Sequence, residues 1–405
     1  MRKAVILSLD AMFEEDIAFL PENSVIREIM REGTSCTQVK TVFPSLTYPA
    51  HVTLVTGCDP AQHGIGQNQP FQPGVEPVRR KWYWDLRQIG RETLFSAVKR
   101  QGGHCASILW PVTGRTREIR WNFPEVLALP GENQVLKMLQ YGSAPWILQM
   151  ELRHGRERVS TKEPYLSDYA AVLACDVIRF HQPDLTCVHM VALDEARHHH
   201  GVRSREAHEA LLRLDRHVGT IRDTIRSTPG MEDALLIIVS DHGQADISRT
   251  VNLTELFAGD GWNSDRVGVQ SCGMSAYIFA KEKADVPEFM RYLQQHAEKL
   301  GVRCIFDRSD LDGMGCIAQV DLAVDAMPGV VFSDALDEEK REAATHGFAP
   351  GHPAENCLFA VSGRGIRTSV SIPGMHMRDV APTVASLMGV TLPEAEGEDY
   401  HQDMI

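Results

Sequence analysis

Three short apolar runs share one grammar: Ala4 to Leu9 leads into Asp10, Cys187 to Leu193 into Asp194, and Ala234 to Ser240 into Asp241. Runs of this kind, rich in Val, Ile and Leu with little polar alternation, are the pattern of strands buried on both faces of a sheet. Between them, Leu166 to His181 and Ala207 to Ile225 repeat apolar residues at intervals of three and four, the helical period. Strands alternating with helices predict an α/β fold with a mostly parallel central sheet flanked by helices, in which ligands gather beyond the carboxyl ends of the strands. The three aspartates fall at those ends.

The texture changes from Val267 to Asp334. Ala276 to Ala280 reads as a strand, Val286 to Leu300 as a helix, and Val302 to Phe306 and Ile317 to Val324 as further strands. This predicts a small inserted α+β subdomain over 267–334 within a core made of 1–266 plus 335–405. The core pattern resumes with a strand at Cys357 to Val361 and a helix from Met377 to Met388 closed by Gly389.

Composition adds exclusions. Among 405 residues, 43% are hydrophobic and 23% charged, which fits a folded globular chain and not a disordered or fibrous one. Lys plus Arg total 41 against 54 Asp plus Glu, a net charge of −13, so no broad basic surface for nucleic acid is expected and any phosphate binding must be local. The nine cysteines contain no CxxC pair, several lie in apolar runs, and the expectation is reduced, buried thiols in a cytoplasmic protein. The apolar start is cut short by Asp10, and no stretch approaches the roughly 20 apolar residues of a membrane span, so no membrane association is expected. The oligomeric state is not written in the sequence.

Three places carry chemistry. In Phe43-Pro44-Ser45-Leu46-Thr47-Tyr48-Pro49, Thr47 suits the cap of a helix and Pro49 its first turn. Thr47 is then either a cap alone or a hydroxyl placed where free N–H groups and the helix dipole favour an alkoxide and a phosphoryl group. Asp194 and His198, four apart, converge on one metal ion if the chain is helical there, and carboxylate with imidazole suits zinc. Ser240-Asp241-His242-Gly243 sets a carboxylate beside an imidazole at a strand end.

Taken with His63-Gly64-Ile65, Asn68, Trp110-Pro111, Gly201, Thr345-His346-Gly347-Phe348 and Asp379-Val380-Ala381-Pro382-Thr383, the ordered set resembles the nucleotide pyrophosphatase/phosphodiesterase family of the alkaline phosphatase superfamily. The resemblance implies an alkaline-phosphatase-like fold and a hydrolase that cleaves phosphodiester or phosphoanhydride bonds of small-molecule phosphate esters through a phosphothreonine intermediate. It implies two Zn²⁺, or Mn²⁺ or another divalent ion: one held by Asp194, His198 and His346, the other by Asp10, Asp241, His242 and the Thr47 hydroxyl. Asn68 would bind a non-bridging phosphoryl oxygen, partnered by the backbone N–H of Tyr48. His352 is the rival to His346 as the last ligand. Tyr48, Asn68, His189 and Trp110 are the expected substrate-facing residues. Tyr48 fills one of the family's two base-stacking positions, and His189 replaces the tyrosine of the other. Phosphonoacetate-hydrolase-like chemistry, with Arg115, Arg117 or Arg197 holding a carboxylate, and a threonine-type phosphomonoesterase are the near alternatives; a catalytically silent, metal-stabilised binding protein is a remote one.

Overall fold

Strand β1 (Ala4–Leu9) is buried on both faces because its side chains alternate between two apolar layers: Val5, Leu7 and Leu9 enter one, Ala4 and Ile6 the other. The computed structural model describes residues 1–333 and 342–405. The other strands are β2 (Thr34–Lys40), β3 (Cys105–Ile108), β4 (Ile119–Phe123), β5 (Leu185–Met190), β6 (Leu235–Val239) and a late strand, Asn356–Ser362. Across the sheet the order is β2, the late strand, β6, β1, β5, β3, β4. The five from β6 to β4 are parallel, and the late strand runs antiparallel to both of its neighbours.

Helices cover both faces. Tyr165–His181 and Arg205–Ser227 bury Leu173, Val177, Leu211 and Leu214 against the first layer. Leu94–Arg100 and Val380–Met388 bury Phe95, Val98 and Val384 against the second. Leu9 pairs with Met190 and Ser8 with Val239, so Asp10, the chain after β5 and Asp241 all leave the sheet at one edge.

Two apolar runs end differently from their pattern, each for a visible reason. The strand expected to reach Leu193 stops at Met190, and Ala192–His200 is a helix. The Ser167 hydroxyl accepts the N–H groups of Val191 (3.1 Å) and Ala192 (3.2 Å), supplying from another helix the acceptors that a helix start needs. The strand expected at Ile317 begins only at Leu322, because the Arg308 guanidinium holds the carbonyls of Cys316, Ile317 and Val320 in a turn.

The second sheet is antiparallel throughout, in the order Val302–Phe306, Leu322–Ala326, Ser275–Ala280, Val267–Ser271, with the helix Val286–Leu300 packed on it. Its apolar cluster reaches beyond 267–334 on both sides, taking in Val251, Phe257, Trp262, Phe348 and Ala354. The expected junction at 334 and 335 lies outside the described residues. Among the described residues no helix is long and apolar enough to cross a membrane.

Replacing Ser167 with Ala leaves the buried Ala192 N–H and the half-buried Val191 N–H without their acceptor. Urea denaturation should show a loss of about 1 to 3 kcal/mol, the range for an unsatisfied buried donor.

Candidate metal centre

Thr47 is the first residue of the helix Thr47–Thr56; the extended residue before it, Leu46, takes the cap position and makes no side-chain cap bond. The cap reading of Thr47 therefore fails. Its hydroxyl is instead free to donate to His242 Nε2 at 3.1 Å, across the sheet edge. His242 Nδ1 lies 3.3 Å from the Gly243 carbonyl, which fixes the tautomer and leaves Nε2 as the lone-pair nitrogen.

Around that nitrogen stand the carboxylates of Asp10 (Oδ1 at 3.5 Å) and Asp241 (Oδ2 at 3.2 Å). Their outer sides are held: Asp241 Oδ1 accepts the N–H of Ala11 and of His242, and Asp10 Oδ2 accepts from His189 Nε2 at 3.0 Å. Their inner oxygens, Asp10 Oδ1 and Asp241 Oδ2, are buried and have no hydrogen-bond partner. Buried carboxylate oxygens without a donor are unfavourable unless a cation meets them. Asp10, Asp241 and His242 thus fit a divalent ion, with the Thr47 hydroxyl at its edge.

A second set lies alongside. Asp194 and His198 share one face of the helix Ala192–His200, with His198 Nε2 3.4 Å from Asp194 Oδ2. His198 Nδ1 donates to the Ala344 carbonyl at 2.9 Å, and His346 Nδ1 donates to the Ser45 carbonyl at 3.1 Å, so both rings present Nε2 inward. His346 Nε2 is 4.0 Å from Asp194 Oδ1, and the His346 ring stacks on His242 at 3.9 Å, which joins the two sets. Asp194, His242 and His346 offer ligand atoms around one point, as do Asp10, Asp241 and His242. Gly347, at φ +89°, lets the chain turn here, since a Cβ would sit 1.6 Å from the Cys272 carbonyl oxygen. His352 stands apart: its ring stacks on Phe348 and its Nδ1 accepts from the Ala354 N–H.

Crowding and burial set the charges. Desolvation, reinforced by Asp194, pushes Asp10 up to about 7, and desolvation with Asp10 beside it pushes Asp241 well above the carboxylate range. Burial opposes the Asp194 charge too, but His198 and His346 outweigh it and hold its carboxyl below the usual range. Burial also keeps His242 neutral, as a metal ligand must be.

Three expected substrate contacts are placed otherwise. His189 is fully buried, and besides Asp10 it contacts the Leu109 carbonyl and Glu125 Oε2 at 3.1 Å. With an acceptor on each nitrogen it braces a carboxylate and is no stacking platform. Trp110 is buried in the core with its ring against His51. The Tyr48 ring is buried too, in edge contact with Trp82 at 5.3 Å, and its hydroxyl donates to Glu125. Asn68 is half-buried beside Thr47, and its Oδ1 accepts the Tyr48 N–H at 2.9 Å. That backbone donor is therefore already engaged, and Asn68 Nδ2 is the donor left for an incoming oxygen. Of the arginines, Arg197 is buried on Asp16 and the Ala11 carbonyl, and Arg115 lies over the Tyr141 ring.

Sequence reasoning missed several supports. Gln244, two residues after His242, donates to Asp194; Ser45 lies inside the Phe43-to-Pro49 motif; His51 lies one helical turn from Thr47, with Nδ1 3.6 Å from Asp241 Oδ2. Each was within reach of a motif already read. Glu125, in a loop after β4, carried no signal of its own.

The family model for type I phosphodiesterase / nucleotide pyrophosphatase matches residues 4–348, and the chain belongs to that family. Human ectonucleotide pyrophosphatase/phosphodiesterase family member 1 is 24% identical over 54% of this chain, and the match spans only 21% of that protein's length. The bis(5'-adenosyl)-triphosphatase of Xenopus laevis is 21% identical over 96% of this chain and 78% of its own. Murine ectonucleotide pyrophosphatase/phosphodiesterase 5 superposes with a TM-score of 0.74 over 100% of both chains at 18% identity, and the human protein with 0.72 at 19%, which shows the alkaline-phosphatase-like fold.

Two measurements follow. His346→Ala should lose bound metal by elemental analysis while His352→Ala keeps it. Because Asp10, pushed up to about 7, and Asp241, pushed up beside it, must both shed their protons to hold a cation, titration calorimetry should show affinity falling by more than about tenfold for each pH unit below 7.

Proposed function

We propose that this chain hydrolyses phosphodiester or phosphoanhydride bonds through a phosphothreonine intermediate on Thr47, at a site for two zinc ions. The observation that carries the reading is the Thr47 hydroxyl at a helix start, 3.1 Å from His242 Nε2 and beside two buried carboxylates whose inner oxygens lack donors. Asp10, Asp241, His242 and Thr47 would hold one ion, and Asp194, His198 and His346 the other. Bound there, the ions would supply the positive charge that steadies the attacking and leaving oxygens of an in-line displacement.

The chain's own residues do the rest. The helix start presents Thr47 Oγ1 to phosphorus; as the hydroxyl gives up its proton to solvent, the bond from Oγ1 to phosphorus forms while the bond to the leaving oxygen breaks, and that oxygen departs as an anion to be protonated by water. Asn68 Nδ2 donates to a non-bridging oxygen. The positive end of the helix dipole at Thr47 favours the gathering negative charge. Water then cleaves the bond between Thr47 Oγ1 and phosphorus, restoring the hydroxyl.

A nucleotide substrate draws support from the relatives: one is named for bis(5'-adenosyl)-triphosphate cleavage, and an inactive form of murine ectonucleotide pyrophosphatase/phosphodiesterase 5 was solved in complex with AMP. The placement of His189 speaks against a two-ring sandwich built on Tyr48 and residue 189, so a base would be gripped on fewer sides. Phosphonoacetate hydrolysis draws less support: of the three arginines, Arg197 is held by Asp16 and Arg115 lies over the Tyr141 ring, which leaves the exposed Arg117. The nine unpaired cysteines, eight of them buried, support a reducing, cytoplasmic setting.

Zinc-loaded protein should turn over bis-p-nitrophenyl phosphate in preference to p-nitrophenyl phosphate or phosphonoacetate, and EDTA should abolish the reaction. Thr47→Ala should lose at least about 10³-fold in kcat, the scale of losing a nucleophile. Acid-quenched wild type should carry phosphate on Thr47 by mass spectrometry. Dominant monoester or phosphonoacetate turnover would overturn the reading.

A further inference from the structure

Asn68 sits on a segment that contributes none of its own regular structure, and its accuracy has to come from elsewhere. On one side the segment is fastened to the Thr47 helix. His63 is fully buried, burial pushes its pKa down to about 3, and the neutral ring accepts the Ile65 N–H at Nδ1 while Nε2 meets Thr53 Oγ1 at 3.0 Å. Ile65 then packs against Tyr48 and Val52.

On the other side, while the Asn68 carbonyl accepts the Tyr83 N–H at 3.1 Å, Gly66, Gln67, Gln69 and Phe71 are fastened to the inserted antiparallel sheet. Tyr277 donates its hydroxyl to the Gly66 carbonyl at 3.1 Å. Gln67 Nε2 donates to the Ser271 carbonyl at 2.9 Å, and Gln67 Oε1 accepts the Gln69 N–H at 2.6 Å. Gln270 Nε2 donates to the Gln69 carbonyl at 2.8 Å. Phe71 stacks on Phe279 with ring centres 4.0 Å apart. Gln67, Gln270 and Tyr277 are each less than a tenth exposed; the Tyr277 bond is buried and the two glutamine bonds partly so. The approach is also too close for larger residues: a Cβ on Gly66 would lie 2.7 Å from Ile317, and one on Gly268 would lie 2.5 Å from the Phe71 ring.

We infer that the inserted sheet positions Asn68: its edge strand Val267–Ser271, through Gln270 and the Ser271 carbonyl, together with Tyr277 on the neighbouring strand, sets the height of the Asn68 amide over Thr47. Gln67, Gln270 and Tyr277 are positioning residues, acting on the phosphoryl group only through Asn68. The inference deepens the proposed reaction and rests on it for the role of Asn68, but the positioning itself has a readout that needs no turnover. The Tyr48 N–H lies in the first turn, where a helix supplies no acceptor, so its bond to Asn68 Oδ1 is its protection against hydrogen exchange.

The test uses full-length zinc-loaded protein carrying Gln270→Ala, Gln67→Ala, Asn68→Ala, the double variant of Asn68 and Gln270, and Lys299→Ala as a control on the insertion, where its side chain pairs with Asp260. Tyr48 amide exchange should quicken in Gln270→Ala and Gln67→Ala towards the rate in Asn68→Ala, and stay at the wild-type rate in Lys299→Ala. With bis-p-nitrophenyl phosphate, Gln270→Ala should lose about tenfold in kcat with metal content unchanged, in line with the cost of sub-ångström misplacement. The double variant should lose no more than Asn68→Ala alone, since residues acting through one contact are not additive. Wild-type protection of Tyr48 in both glutamine variants, or losses that multiply in the double variant, would overturn the positioning. Loosened protection without diester turnover in the wild type would uphold it and overturn the reaction instead.

Discussion

Carboxylates that share one buried pocket repel each other, and the architecture around β1 is organised to tolerate that repulsion. Asp10, Asp194 and Asp241 meet at one sheet edge, and the charges that reach them come from imidazoles and from one another. Each acidic oxygen facing outward has a donor, from backbone N–H groups, His189 or Gln244, whereas Asp10 Oδ1 and Asp241 Oδ2 have none. A pocket built this way is held rigid from behind and left electrostatically incomplete in front, the condition under which a cation is bound strongly.

The same logic accounts for the net charge. An acidic protein with no broad basic face can still meet a phosphate if its cations are metal ions gripped by some of those acids. Arginine serves a different purpose here: Arg197, buried within the helix that carries Asp194 and His198, grips the Ala11 carbonyl and Asp16, tying that helix to the loop that follows Asp10. The ligand-bearing segments are thereby fixed to one another without a cation being spent on the ligands themselves.

Much of this was legible in the sequence because it rests on local rules. Apolar runs ending in aspartate, helical periodicity in Leu166 to His181 and the spacing of Asp194 from His198 each follow from the geometry of one element, and the fold carries them at Tyr165–His181 and Ala192–His200. What escaped depends on contacts between distant segments. Val191 to Leu193 continue an apolar run, and only Ser167, on another helix, turns them into a helix start. His189 occupies a position where the resemblance implies a stacking ring, but Asp10 and Glu125 claim both of its nitrogens. Tyr48 and Trp110 are expected from the resemblance to face substrate, and packing buries them. No local pattern announces where a side chain's second partner comes from.

The antiparallel strand Asn356–Ser362 separates β2 from β6 in the middle of the sheet. The residues of β2 thus wait for residues far later in the chain before they have a neighbour to pair with, so β2 and the segment running on from it to Thr47 lack their lateral support until then. Closing so long a loop favours late, cooperative consolidation over stepwise growth from the amino end. The parallel half of the sheet can assemble early and its Thr47 side is completed last, leaving the Thr47 hydroxyl unplaced until the late strand has joined the sheet.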